Sequence, residues 1–248
     1  MKLLDLFSGI GGFSLGLEKS GFETVAFCEI EKYPRKVLKK HWPGIPIAGD
    51  IKKLNYKGGV LFYEGEEIYR GSIDAVCGGF PCQPHSYSGK RLASNDSRDL
   101  WSEMFRLISE ISPRIVIGEN VLGLLTSESG RYFGGILKNI SSIGYDAEWF
   151  NLPAGAIGAE HLRPRIWILA YPNQTQFKGG CISERIQQEY ANSSYTRWGK
   201  DKPGVERTLN GIPRQMDRLG CLGNAIVPEI PSLIGRAIRN TLLITNKS

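Results

Sequence analysis

The chain has 248 residues, 41% hydrophobic and 10% aromatic, the composition of one soluble globular domain with at most a small appendage. No apolar run approaches the roughly 20 residues a bilayer span needs. Met1–Phe7 is too short and too soon acidic for a secretory leader, so a cytoplasmic protein is expected. The formal charge of +6 favours a polyanionic partner such as nucleic acid. Five cysteines (Cys28, Cys77, Cys82, Cys181 and Cys221) form no C-x-x-C pair, and only three histidines accompany them. That argues against a disulfide framework and a zinc centre, and no metal is expected.

Strand and helix patterns alternate along the first two thirds. Leu3–Phe7 predicts a first strand, Gly9-Ile10-Gly11-Gly12 a turn, and the stretch to Ser20 a helix. Thr24–Cys28 predicts a second strand and Tyr33–His41 a helix that stops before Pro43. Ile45–Ala48 predicts a third strand, residues 52–72 a polar insertion of hairpin type, and Ile73–Cys77 a fourth strand. Asp96-Ser97 can cap a helix whose apolar face carries Leu100, Met104, Ile108 and Ile111. Ile115–Ile117, Ala147–Leu152 and Ile166–Ala170 predict further strands. The alternation implies a mostly parallel sheet with helices on both faces. From about Pro172 to Arg218 the pattern breaks into polar, charged sequence expected to be irregular, and Pro231–Leu243 is apolar at helical spacing.

Two groups of residues suit chemistry. The glycine turn after the first strand can cradle a ligand with backbone N–H groups. Glu29, twenty residues after Gly9 at the end of the second strand, suits a ribose hydroxyl pair. Asp50, after the third strand, can accept from an adenine amino group. The second group is Cys82 in Gly79-Phe80-Pro81-Cys82-Gln83-Pro84, with Glu119 at the end of a buried strand and Arg163-Pro164-Arg165 at the entry to another. A thiol at the carboxyl edge of a parallel sheet is a candidate nucleophile, and nearby cations favour its thiolate. A carboxylate ending a buried strand is costly unless used or paired.

The chain resembles the S-adenosylmethionine-dependent DNA cytosine-5 methyltransferases. Asp5-Leu6-Phe7-Ser8-Gly9-Ile10-Gly11-Gly12-Phe13 is similar to the family's cofactor loop, and Gly79–Pro84 to its nucleophile loop. Glu119-Asn120-Val121 matches its E-N-V signature, and His161-Leu162-Arg163-Pro164-Arg165 resembles Q-x-R-x-R. Gly223-Asn224-Ala225-Ile226-Val227-Pro228 resembles its last element, and the five motifs keep the family's order. The resemblance implies a Rossmann-like α/β methyltransferase fold. Residues 1–171 and 219–248 would form the catalytic domain and residues 172–218 a small recognition lobe.

It also implies roles. Cys82 would add to C6 of a flipped-out cytosine, Glu119 would hold a proton at N3, Arg165 would brace O2, and Arg163 would hold the nucleophile loop or the base. Phe7 and Ile30 would flank the adenine of S-adenosylmethionine, Glu29 would take its ribose, and Asp50 and Ile51 would read the adenine edge. Gly9, Ile10, Gly12, Leu100, Asn224 and Ala225 would hold the methionine end. The implied partner is double-stranded DNA, touched by Gln83 and Ser86 beside the nucleophile. Arg197, Lys200, Lys202 and Arg207 would contact phosphates, with Tyr190, Tyr195 and Trp198 available to pack or wedge.

Three features depart from the family. His85 stands where an aromatic residue is usual, His161 replaces the first Gln, and the recognition segment is short. A short reader implies a short or relaxed target site. The expected protein is an active monomeric DNA methyltransferase. The alternatives are a methyltransferase acting on RNA, or a cofactor-binding chain that is impaired or needs a partner for target recognition.

Overall fold

The computed structural model describes residues 1–81, 100–159, 162–177, 180–192 and 225–242. A seven-stranded sheet forms the centre, in the order β3-β2-β1-β7-β8-β10-β9. Its strands are β1 (Lys2–Leu6), β2 (Glu23–Cys28), β3 (Ile47–Ala48), β7 (Ala75–Gly78), β8 (Ile115–Val121), β9 (Tyr145–Asn151) and β10 (Arg165–Pro172). All run parallel except β10, which pairs antiparallel with both β8 and β9 and so lies between them. The chain winds outward from β1 to β3 and then returns to the other side of β1 to begin β7. The ends of β1 and β7 therefore flank the point where the winding reverses, the crevice in which such sheets bind ligands.

β1, β2, β7, β8 and β10 are where the apolar runs predict them, because strands covered on both faces need continuous apolar sequence. Helices α3 (Trp101–Ile111) and α4 (Arg131–Ser142) cover one face, burying Met104, Leu107, Ile108, Ile136 and Ile140 against Leu4, Leu6, Val76, Val116 and Ile168. Helices α1 (Gly12–Glu18), α5 (Ile182–Ala191) and α6 (Glu229–Thr241) cover the other. There Phe13, Leu17, Ile186, Leu233 and Ile238 meet Leu3, Ala75, Ile117, Trp167 and Leu169. Phe13 packs edge-on against Trp167 with ring centroids 5.7 Å apart. Helix α2 (Lys32–His41) lies between β2 and β3 in the chain and buries Pro34 and Leu38. Among the described residues, no helix is long and apolar enough to cross a membrane.

Three regions differ from the sequence expectation. The insertion is a three-stranded antiparallel sheet, β4 (Leu54–Lys57), β5 (Val60–Tyr63) and β6 (Glu66–Arg70), not a single hairpin. Its tight turns are allowed by left-handed Gly58, Gly59 and Gly65. Helix α4 was not expected at all. The stretch 172–218 begins with a regular helix, α5, which belongs to the main core. The Glu148 carboxylate accepts the backbone N–H groups of Ile182 and Ser183 at 3.1 and 2.8 Å and so fastens α5 to β9. Residues 193–218 lie outside the described residues, as do the capping pair Asp96-Ser97 and Leu243 at the end of the predicted last helix.

Candidate active site

The turn after β1 is built by short-range geometry. Phe7 and Gly9 take left-handed φ values of 52° and 54°, which reverses the chain. Ser8 closes the reversal: its N–H donates to the Cys28 carbonyl (3.1 Å) and its hydroxyl to the Asp5 carbonyl (2.6 Å). The glycines of this motif are used differently. A Cβ on Gly11 (φ 88°) would lie 2.6 Å from the Trp42 ring, and one on Gly12 would run into the Ile226 carbonyl. These two glycines exist for close packing. A Cβ on Gly9 would have no described atom within 4 Å, so this glycine is required by its left-handed backbone and not by packing against the described residues.

Gly11 cannot cap α1 with a side chain, and the strand beneath supplies the acceptor. The Asp5 Oδ2 accepts the Ser14 hydroxyl at 2.7 Å and the Ser14 N–H at 3.3 Å, at the positive end of the helix. Asp5 is fully buried, and burial pushes its carboxyl up to about 7 against the pull of the Ser14 bonds.

Carboxylates follow β2 and β3. Glu29 accepts the Gly9 N–H at 2.7 Å through one oxygen and the Glu31 N–H at 2.8 Å through the other. Each oxygen keeps a lone pair for a hydroxyl donor. Ile30 beside it is 66% exposed. Asp50 accepts the Lys52 N–H at 3.0 Å and opens a short 3-10 turn, Ile51–Lys53, in which Ile51 is buried. Phe7 is half-buried against the core. An open glycine, a ribose-type carboxylate, an exposed apolar side chain and a second carboxylate thus line one edge of the sheet. This donor set fits an adenosine-bearing ligand.

The second group gathers at the ends of β7, β8 and β10. Trp167 pairs directly with Glu119 across the antiparallel ladder, so Arg165, two residues before Trp167, is the diagonal neighbour of Glu119 on the same face. The Arg165 Nε lies 2.9 Å from the Glu119 Oε1. Arg163 contributes a second positive field to the same carboxylate. Burial nevertheless dominates, and the Glu119 carboxyl stands above the ordinary glutamate range. Arg163 itself is pushed below the usual guanidinium range by burial and by Arg165 beside it. Arg163 holds a left-handed φ of 35° directly before Pro164, a conformation that costs a non-glycine residue on the order of 1–3 kcal/mol.

Two residues that stand within the sequence motifs but were given no role of their own complete this corner. Asn120 is 3% exposed and donates from Nδ2 to the Phe80 carbonyl at 3.0 Å, while its Oδ1 accepts the Val121 N–H. It ties β8 to the strand exit that leads through Pro81 to Cys82. Ile226 packs against Gly12 and also lies 3.9 Å from the Cβ position of Gly79, whose other neighbour is Glu119 Oε2 at 3.2 Å. Ile226 therefore links the glycine turn to the exit of β7, from which the chain runs on to Cys82. The available signal for Asn120 was its place in Glu119-Asn120-Val121 at the end of an apolar run, where a buried Asn demands a partner.

Of the expected site residues, the structure brings Glu119, Arg163 and Arg165 together. It sets Phe7, Gly9, Ile10, Gly12, Glu29, Ile30, Asp50 and Ile51 along the ends of β1 to β3. Leu100 is the N-cap of α3, and Ala225 directly precedes Ile226. Cys82, Gln83, Ser86, Arg197, Lys200, Lys202, Arg207 and Asn224 lie outside the described residues.

The family model for C-5 cytosine-specific DNA methylase matches residues 1–217. The chain is 37% identical over 172 residues to the type II methyltransferase M.NgoMIV of Neisseria gonorrhoeae, covering 69% of this chain and 52% of that protein. It is 38% identical over 145 residues to M.Eco47II of Escherichia coli, covering 58% of this chain and 32% of that protein. The chain thus spans about half or less of these relatives' length. Among solved structures, a protein encoded within an E. coli prophage and described as a DNA modification methyltransferase superposes with a TM-score of 0.63 at 18% identity, over 97% of this chain and 99% of that one. The S. pombe Dnmt2 methyltransferase superposes with a TM-score of 0.56 at 21% identity, over 75% and 55%. These structural likenesses bear on the fold.

Proposed function

Because the chain belongs to the C-5 cytosine-specific DNA methylase family, we propose that it methylates C5 of cytosine in double-stranded DNA, with S-adenosylmethionine as cofactor. The observation that carries this reading is the buried Glu119 carboxyl paired with Arg165 beside Gly79, on the chain's approach to Cys82. When bound, S-adenosylmethionine supplies an electrophilic methyl group on its sulfonium sulfur. Glu29, Ile30 and Asp50 would hold its adenosine, and the Gly9 turn with Leu100, Asn224 and Ala225 its methionine end.

The residues then have complementary tasks. The target base is extruded from the stack, at a cost of a few kcal/mol. The Cys82 thiolate adds to C6, and the electron pair of the C5–C6 bond becomes nucleophilic at C5. Glu119 holds the proton at N3, so negative charge does not build on the ring, and its raised carboxyl pKa suits that task near neutral pH. Arg165 braces the cytosine O2 and keeps the Glu119 carboxyl oriented. With the methyl group on C5 and S-adenosylhomocysteine as the leaving group, a base would take the C5 proton, and its C–H electron pair would re-form the C5–C6 double bond as the S–C6 bond breaks, restoring the thiolate and the aromatic ring. Gln83, Ser86 and the basic residues Arg197, Lys200, Lys202 and Arg207 meet the DNA. The same reading puts the protein in the cytoplasm, as a monomer or with a partner for target recognition.

The test is expression in a host lacking cytosine methylation, followed by bisulfite sequencing of its DNA beside a Cys82→Ser control. Protected cytosines in one sequence context, absent from the control, are expected. Unprotected DNA together with newly methylated transfer RNA would replace DNA by RNA as the substrate.

A further inference from the structure

Arg106 lies on the face of α3 turned toward the insertion. Its Nη2 donates to the Ile51 carbonyl at 3.1 Å and to the Leu54 carbonyl at 2.8 Å. Nη1 donates to Glu110 at 2.7 Å and to Asn55 Oδ1 at 3.4 Å, and Nε to Glu103 at 2.9 Å. All five N–H donors of the side chain are used. The two carboxylates fix the head, and the head fixes the 3-10 turn Ile51–Lys53 from both of its flanks. The turn is held from the other side too: the Asp50 N–H donates to the Tyr63 hydroxyl at 3.4 Å, and Lys53 pairs with Glu64 of the insertion at 2.6 Å.

We infer that Arg106 is a positioning residue for recognition of the adenine ring: by pinning the Ile51 and Leu54 carbonyls it sets where the Asp50 carboxylate and the Ile51 backbone meet the adenine edge. The inference rests on the S-adenosylmethionine reading above. Arg106 acts through the turn. Helix α3 explains why the device sits there. Leu100, assigned to the methionine end, caps the helix, and Arg106 stands six residues on, about 9 Å along the axis. One rigid element thus sets both ends of an elongated ligand. Lysine cannot replace this arginine, because a single ammonium has three donors and no planar fork.

The test compares binding of S-adenosylhomocysteine with its inosine analogue, in which a carbonyl replaces the adenine amino group, by titration calorimetry on wild type and Arg106→Lys. Wild type should prefer the adenine ligand by about tenfold or more, since a donor facing Asp50 is lost in the analogue. Arg106→Lys should weaken the adenine ligand about tenfold and the analogue less than about twofold, so that the preference collapses. A general structural loss would lower both affinities equally and leave the preference at its wild-type value; that result overturns the inference. Should Arg106→Lys fail to fold, the Glu103→Gln/Glu110→Gln pair keeps the arginine and frees its head, and an undiminished preference there overturns the inference equally. A wild type that binds neither ligand overturns the cofactor reading and this inference with it, whereas wild-type binding with an unchanged preference in the variants overturns the inference alone.

Discussion

Asp5 gives the fold a measurable proton linkage. Among the described residues no cation offsets its burial, and its carboxyl is pushed from 3.8 up to about 7, so the folded chain keeps a proton that the unfolded chain releases near pH 4. Its contribution to stability is greatest below pH 4, falls as pH rises toward 7, and is constant above that. A shift of that size corresponds to about 4 kcal/mol across the window. Asp5→Asn removes the proton from the comparison while its amide oxygen can still accept from the Ser14 hydroxyl and N–H. The stability of Asp5→Asn relative to wild type should therefore rise by about 4 kcal/mol between pH 4 and pH 8. Other titrating groups are common to both proteins and cancel. Urea unfolding followed by tryptophan fluorescence at several pH values measures the difference directly. A difference that stays flat across pH 4 to 8 would refute the assignment of a buried, neutral Asp5 beneath the turn.

The glycine turn separates packing from binding: Gly11→Ala should lose about 2 kcal/mol or more in thermal or urea unfolding, through its left-handed φ and the Trp42 ring, while Gly9→Ala should lose about 1 kcal/mol but bind S-adenosylhomocysteine at least about tenfold more weakly by calorimetry. Glu119→Gln should fold normally and lose about 100-fold or more in methyl transfer, read as tritium incorporation into duplex DNA. With wild-type Glu119, activity should fall above the raised carboxyl pKa, as the proton offered to N3 is lost, and Arg165→Met should move that fall to higher pH by removing the favourable charge. Asn120→Ala leaves the Phe80 carbonyl unpaired and should cost about 1–3 kcal/mol; it should slow covalent capture by a 5-fluorocytosine duplex more than it weakens cofactor binding.

The fold was legible where burial writes itself into local pattern. β1, β2, β7, β8 and β10 are apolar runs because both faces of the sheet are covered. Helix α4 hid behind Gly134-Gly135, which depress helix propensity, although Tyr132, Phe133, Ile136 and Ile140 line its buried face. Helix α5 buries little beyond Ile182 and Ile186, so its apolar stripe is too thin to stand out of a polar stretch; Glu148, 34 and 35 residues away, secures its start. The site followed the same rule. Glu119 and the two arginines were readable from strand ends, and Glu29 from its spacing after Gly9. What the sequence could not reveal were bonds between distant segments: Asn120 to Phe80, Arg106 to Ile51 and Leu54, and Ile226 against Gly12 and Gly79. Such contacts depend on which elements the topology makes neighbours, and no local periodicity encodes that.

The position of β10 between β8 and β9 governs how the molecule can be assembled. During synthesis β9 is made before the strand that connects it to the sheet, so it waits without a partner until Arg165–Pro172 has been made. Insertion must then zip two ladders at once, and the same event brings Arg165 to Glu119. Completion of the sheet and completion of the acid–arginine corner are thus one late step. A chain interrupted before residue 165 would carry the glycine turn and an exposed strand, but neither a closed sheet nor the Glu119–Arg165 pair, and would be a substrate for aggregation or proteolysis.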